Sequence, residues 1–375
     1  MKKEMMVNPW EVKGDIDYSK LIKKFGVSKL DKKILERIQK HTGELHPMLR
    51  RGIFFAHRDM NWLLDEYEKG NKFFLYTGRS PSGPIHLGHL GPWIFTKWLQ
   101  EKFGVELYFQ FPDDEKFLFK KNLEYEEVQN WLEENMLDVI ALGFDPKKTH
   151  FLIDTKHASL LYPEAIKVAK KITLSTTKAA FGFKDDLNIG AVFYTSMQAA
   201  PVMIPGTLKK NKKIPCLIPL AVDQDPHFRI ARDVYPKLGF PKPAIIHSVF
   251  LPPLTGTQGK MSSSEANHAI LTTDTPEQVK KKINKYAFSG GQPTLEEHRA
   301  KGGNPDIDVP FQYLKFLFEH DDAKLNEIYG RYKSGEMTTG EMKKYVIDKI
   351  NEFLKEHQKK RKQAKKKIND FLMKV

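Results

Sequence analysis

One cysteine, Cys216, stands in 375 residues. That excludes an internal disulfide framework and any zinc or iron–sulfur centre built on several thiolates. Long apolar runs are missing too. The longest candidate, Cys216 to Val222, has the length of a strand and falls far short of the ~20 residues that span a bilayer. The opening MKKEMMVNPWEVKGD has basic residues with no apolar stretch behind them, which is not a secretory pattern. No Ser/His/Asp or Cys/His arrangement points to a protein nucleophile, and no internal repeat is visible. These absences predict a soluble cytoplasmic protein with no membrane partner. Hydrophobic residues at 40% and aromatics at 11% suffice for sizeable cores, so global disorder is excluded as well. At roughly 150 residues per domain the length suggests two or three domains.

Acidic residues are in deficit: 47 against 61 Lys and Arg, a formal charge of +14. Half of that surplus lies after position 340, where twelve Lys/Arg face five Asp/Glu. Val346, Ile350, Phe353 and Leu354, then Ile368, Phe371 and Leu372, recur at helical spacing there, with a basic run from Lys359 to Lys367 between the stripes. The run is expected to face solvent. It reads either as a solvated helix face or as a surface for a polyanion, which gains affinity by releasing counterions.

Residues 1–68 show short helical patterns, Leu30 to Ile38 and His57 to Tyr67, expected of an N-terminal extension without a strand core. Strand signals follow at Lys72–Thr77, Val105–Phe111, His150–Asp154, Pro215–Val222 and Ala244–Phe250, separated by helical segments such as Pro92–Lys102, Glu126–Leu142 and Pro226–Leu238. The alternation predicts an α/β fold: a Rossmann-like parallel sheet at 69–274, followed by a helical domain at 275–375.

The first sheet strand leads into TGRSPSGPIHLGH and then a helix. A helix N-terminus at the carboxyl end of a strand offers backbone N–H groups to phosphate. Gly78 and Gly83 would let backbone approach a ligand, and Gly88 would leave room above the helix turn for a nucleotide. His86 and His89, three apart, share a face and can donate to phosphate oxygens. A second segment, Gly259-Lys260-Met261-Ser262-Ser263-Ser264, follows the last strand about 170 residues later. Its Lys can act as a movable point charge over a polyphosphate. Singly these segments also fit a pair of surface histidines and an ordinary linker. Their positions on two halves of one sheet join them.

Together, H-L-G-H and K-M-S-S-S resemble the two signatures of class I aminoacyl-tRNA synthetases. YTGRSPSGPIHLGHLGPWIFTKWLQ, FQFPDDEKF, AVDQDPHFRIARDV and NPWEV are similar to the tryptophanyl-tRNA synthetase family of the archaeal and eukaryotic branch, from about Asn8 to the C-terminus. The resemblance implies ATP-dependent formation of tryptophanyl-adenylate, then transfer to the terminal adenosine ribose of tRNA(Trp), with Mg²⁺ accompanying ATP. It implies ATP contacts from Thr77, Gly78, Arg79, His86, Gly88, His89, Lys260, Met261 and Ser262, with His86, His89 and Lys260 acting in the chemistry. Where the common second signature carries another Lys, this chain has Ser263, so Arg79 and Lys116 are the candidates to meet the phosphate charge.

Tryptophan brings an apolar bicycle, one N–H donor, an ammonium and a carboxylate. Tyr76 and Gln110, near the ends of adjacent strands, can accept from the indole. The resemblance sets Glu115, Gln198 and Gln224 around the α-amino group. The tyrosyl-tRNA synthetase family shares the fold and a tyrosine at this position, but carries an Asp three residues after its M-Q glutamine; here that residue is Pro201. A non-catalytic relative, which should have lost part of the site, and a small-metabolite adenylyltransferase are the other readings. The resemblance further implies a homodimer, an NPWEV segment folded over ATP so that deleting residues 1–14 would raise the KM for ATP, and an anticodon-reading helical domain. Within that domain the polar, glycine-rich 287–304 is the candidate loop.

Overall fold

The computed structural model describes residues 6–7, 12–13, 17–257, 259–261 and 269–374. Residues 8–11 of NPWEV and the serines Ser262, Ser263 and Ser264 lie outside them.

Among the described residues seven strands form one sheet: β1 (Ser28–Lys29), β2 (Phe54–Arg58), β3 (Phe74–Gly78), β4 (Leu107–Phe111), β5 (Thr149–Ile153), β6 (Cys216–Ala221) and β7 (Ala244–Ser248). Their spatial order is β1-β2-β7-β6-β3-β4-β5. The five strands from β7 to β5 run parallel, and β1 and β2 add an antiparallel edge beside β7. The stretch read as a purely helical extension thus supplies two strands of the sheet. Ser28–Lys29 is too short to show alternation, and FFAHR differs from a helix start only through its pairing with β7.

Strand order reverses between β3 and β6, the place where the carboxyl ends of an open sheet leave a crevice. Alternation sends Leu75, Leu107, Phe109 and Phe111 into the larger core, which also takes in Leu30, Ile34 and the C-terminal Leu354 and Phe371. Phe74, Tyr76 and Tyr108 face the opposite core with Leu152, Ile218 and Ile245. Helix α1 (Leu87–Phe103) follows β3 and starts five residues before the expected Pro92. Pro92 has no N–H, so the helical bond back to the Gly88 carbonyl is missing beside the crevice.

From α3 (Pro276–Tyr286) only helices occur among the described residues up to Phe371, and Met373 then donates its N–H to Phe151 O (3.0 Å), returning the chain to the sheet edge. The last long helix, α4 (Thr339–Ala364), packs on α2 (Tyr125–Ala141). Its basic run is not wholly free. Arg361 pairs with Glu134 and Asp138, Lys365 pairs with Glu133 (2.9 Å), and His357 Nε2 lies 2.9 Å from Asp138 Oδ1. Segment 287–304 is also no open loop. A Cβ at Gly302 would fall 1.8 Å from the Lys333 carbonyl, and one at Gly290 would fall 2.0 Å from that of Asn304. Those glycines permit backbone-on-backbone packing, and Leu295–Lys301 is helical. No described helix is long and apolar enough to cross a membrane.

A buried ion cluster fastens the N-terminal segment to the sheet. Arg58 on β2 grips Asp225 with two bonds of 2.9 Å and donates to Phe25 O (2.6 Å) and Gly26 O (3.1 Å), while His247 Nε2 lies 2.8 Å from Asp225 Oδ1. Burial pushes the Asp225 carboxyl up, but the hydrogen bonds from His247 and Arg58 outweigh it and hold it at about 2. Its stabilisation is therefore present above the ordinary range near 4 and fades as pH falls toward 2. Asp225→Ala should cost about 3–5 kcal/mol in urea unfolding at pH 7, because it strands a buried guanidinium. That gap should narrow between pH 4 and 2. A cost below about 1 kcal/mol, or one independent of acid, contradicts this.

Candidate active site

The crevice at the strand-order reversal is a cavity of about 770 Å³. β3 delivers Tyr76, Thr77 and Gly78; β4 delivers Gln110; β6 and the turn after it deliver Asp223 and Gln224. Every residue assigned to tryptophan or ATP from the sequence lines it, apart from Ser262, which lies outside the described residues; Gly83, expected to let backbone approach a ligand, and Pro201 do not line it, and the Gly83 carbonyl is taken by Asn135. Phe316 and Leu317, from the π-helical turn Leu314–Phe318, close it from the C-terminal half.

The histidine signature is joined by backbone to residues 270–272, downstream of the lysine signature. Leu87 N–H donates to Ile270 O (3.0 Å) and Thr272 N–H to Ile85 O (3.0 Å), a bridge that holds the start of α1 against the chain following the Lys260 loop. Gln358 of α4 donates to the carbonyls of Thr272 (2.9 Å) and Asp274 (3.0 Å), so the basic helix is anchored to the same junction. On the other side Asn135 of α2 donates to Gly83 O (3.0 Å).

His86 and His89 stack with centroids 3.6 Å apart, and His86 N–H donates to His89 Nδ1 (3.2 Å), which places the His89 proton on Nε2. Burial, then the charges of Arg79 and Lys260, lower both imidazoles, His86 to about 3. Both are neutral N–H donors at pH 7. His86 Nδ1 is buried without a partner among the described residues. The space above Gly88, read as room for a nucleotide, is filled here by that ring and Met261: a Cβ would sit 3.0 Å from His86 Nδ1 and 3.3 Å from Met261 Cβ. Gly78 likewise serves the sheet, since its Cβ would meet Gln110 O at 2.8 Å.

Among the charged groups the carboxylates Glu115 and Asp223 are buried and the cations Arg79, Lys116 and Lys260 half-buried. Lys260 Nζ bonds Asp223 Oδ2 at 2.8 Å, and Lys116 Nζ bonds Glu115 Oε1 at 3.0 Å. Burial raises the Glu115 carboxyl, yet Lys116, His227 and a bond with Ser80 outweigh it and keep the group ionised. Arg79 stays cationic although burial lowers it to about 10, and its Nε finds no partner among the described residues. No described His, Cys, Asp or Glu cluster is arranged to hold a resident metal.

A chain of polar side chains crosses the floor. Tyr194 donates to Gln198 Oε1, Gln198 Nε2 to Tyr76 Oη (2.9 Å), and Tyr76 to Gln110 Oε1; Gln110 Nε2 ends on Asp154 Oδ1 (2.9 Å) and Oδ2 (2.8 Å). Sequence reading missed Tyr194, Asp154 and Asp223. Their signals were present: Tyr194 is one helical turn before Gln198, Asp154 ends a predicted buried strand beside that of Gln110, and Asp223 precedes Gln224. Burial pushes up the carboxyls of Asp154 and its neighbour Asp114; the charge of Asp114 adds to the rise at Asp154 and that of Asp113 to the rise at Asp114, while a hydrogen bond with Asp154 works the other way on Asp114.

A family profile described as tRNA synthetases class I (W and Y) matches residues 68–355. The tryptophan–tRNA ligase of Saccharolobus solfataricus is 50% identical over 371 residues, covering 99% of this chain and 96% of its own. That of Pyrococcus furiosus is 52% identical over 372 residues, covering 99% and 94%. Among solved structures, Plasmodium falciparum tryptophanyl-tRNA synthetase superposes with a TM-score of 0.90 at 45% identity, covering 96% of this chain and 98% of its own. The tryptophan-bound enzyme of Encephalitozoon cuniculi gives 0.88 at 39%, with the same coverage. The chain belongs to the tryptophanyl-tRNA synthetases, within the class I family that also holds the tyrosine enzymes.

Proposed function

We propose that this chain couples L-tryptophan to tRNA(Trp) in two steps at the cavity described. The substrate carboxylate attacks the α-phosphorus of ATP, the bond to the β-phosphate breaks, and pyrophosphate leaves. The terminal ribose hydroxyl of the tRNA then attacks the adenylate carbonyl and AMP departs. Neither step needs a protein nucleophile; binding geometry and charge carry both. The observation that supports this best is the meeting, in one crevice, of an acceptor pair at the strand ends, an ionised Glu115 and two neutral histidines at a helix start.

In this reading Tyr76 and Gln110 receive the indole N–H, and Glu115, Gln198 and Gln224 hold the α-ammonium. Thr77, Gly78, Gly88, Met261 and Ser262 border ATP, with His86 and His89 donating to its phosphates. Lys260 leaves Asp223 for the departing pyrophosphate, and Arg79 and Lys116 supply the charge that Ser263 does not. Magnesium arrives complexed to ATP. Pro201 can offer a tyrosine hydroxyl nothing, which favours tryptophan. Residues 69–274 form the catalytic domain behind the 1–68 extension, and 275–375 the anticodon-binding part. The protein works in the cytoplasm as a homodimer. Support for the dimer comes from exposed Tyr162, Ile166 and Ile189, the last 87% accessible, on Ala158–Ala169 and Ile189–Met197.

Pyrophosphate–ATP exchange run in parallel should proceed with tryptophan and fall by ~10³ or more with tyrosine. Absence of tryptophan-dependent exchange refutes the reading. Ring resonances of His86 and His89 should stay flat between pH 5 and 8; a midpoint near 6.5 contradicts their neutral role. Changing Lys359, Lys360, Lys362, Lys366 and Lys367 to Gln, with Arg361 and Lys365 kept for their ion pairs, should weaken tRNA charging at raised salt and leave exchange intact. Equal loss of both steps would mark that face as structural.

A further inference from the structure

Asp154 does not line the cavity. It follows β5 directly, donates its N–H to Phe111 O (3.2 Å), and is 1% accessible. Its contact with the ligand space runs through Gln110, whose Nε2 lies within 2.9 Å of both carboxyl oxygens. Gln110 and Tyr76 are equally buried, at 1% and 2% accessible, so water cannot substitute for a lost partner.

An amide side chain carries a donor at one end and an acceptor at the other, and nothing intrinsic decides which end faces a ligand. Here the decision is external. An inverted Gln110 would set Oε1 against two carboxyl oxygens and aim its N–H groups at Tyr76 and the cavity. With Nε2 on Asp154, Oε1 is free to accept from the Tyr76 hydroxyl and, at 3.2 Å, from Gln198 Nε2. The tyrosine proton is thereby committed, and the Tyr76 oxygen in turn accepts from Gln198 and Gln198 from Tyr194. Every donor in the chain points toward Asp154. Neither Tyr76 Oη nor Gln110 Oε1 then has a hydrogen to offer an incoming ring: both present acceptor oxygen, with a Tyr76 lone pair still open and the Gln110 oxygen shared with Gln198.

We propose that Asp154 is a positioning residue that fixes the orientation of the Gln110 amide and so makes the site select aromatic amino acids whose ring donates an N–H. The proposal rests on the tryptophan reading above and adds a residue to it. Asp114 is compatible with this arrangement: the hydrogen bond between the two acids raises Asp154 and lowers Asp114, so a proton on Asp154 would be directed at Asp114 and leave the other oxygen for Gln110.

The test compares exchange with tryptophan and with 3-(3-benzothienyl)alanine, in which sulfur replaces the ring N–H at nearly constant shape. Wild type should prefer tryptophan by ~10–100-fold, the effect of leaving buried acceptors unpaired. Asp154→Leu should reduce that ratio to within ~3-fold and raise the KM for tryptophan ~10-fold with the KM for ATP unchanged. Asp154→Asn keeps one acceptor oxygen for Gln110 and a donor for Asp114, so it should retain the wild-type ratio. Should Asp154→Leu fail to fold, Asp154→Ser, too short to reach the amide, is expected to lose the ratio in its place. An unchanged ratio in the Leu or Ser variant overturns the proposal, whatever the total activity. So does an Asn variant that loses the ratio, or a wild type that accepts both substrates equally. A wild type inert toward tryptophan would instead refute the underlying reading.

Discussion

The reversal of strand order between β3 and β6 is the constraint on which the site depends. Parallel strands need crossovers of one hand, so chain leaving β3 and chain leaving β6 depart to opposite faces and open a crevice at their carboxyl ends. Both polar systems of the site meet there. The helix start with His86 and His89 follows β3, and Asp223 with Gln224 follows β6. The bridge between Leu87 and Ile270 then fixes the chain downstream of Lys260 against the histidine segment, although the two bridged residues are 183 apart in sequence (270 − 87). Gln358 on that junction and Asn135 on Gly83 carry the same registration outward to α4 and α2.

Within the crevice two ion pairs are formed, Glu115 with Lys116 and Lys260 with Asp223, while Arg79 Nε has no hydrogen-bond partner among the described residues. The histidines at the helix start are held neutral by burial and by the cations around them. Two neutral donors at a dipole's positive end suit phosphate oxygens without adding buried charge. The +14 of the whole chain is a different matter. Half of it lies near the C-terminus, and there Arg361 and Lys365 are drawn into ion pairs with α2, so the polyanion-facing surface is smaller than the sequence suggests.

Five strands were legible because buried parallel strands are continuous apolar runs bounded by turn residues, as KFFLYT and VELYFQF are. The antiparallel edge was not legible, since β2 exists through its pairing with β7, and β1 through its pairing with β2, with no periodicity of their own. Site residues that touch the crevice could be read from motif and strand-end position. Asp223, in the crevice beside Gln224, and Asp154, one step behind it, carried only a strand-end position, and an acidic residue after a strand looks the same whether it caps a turn, pairs a lysine or orients an amide. The glycines of 287–304 misled for a related reason: composition signals loop, while Gly290 and Gly302 are there to let carbonyls approach.

The account stands on a cavity floor that presents acceptors to a ring N–H. The most direct measurement is a crystal structure of this protein with bound tryptophan. The indole nitrogen should lie within about 3 Å of Tyr76 Oη and Gln110 Oε1, with the Gln110 amide still on Asp154. An indole nitrogen turned away from both, or a Gln110 amide detached from Asp154, would contradict it.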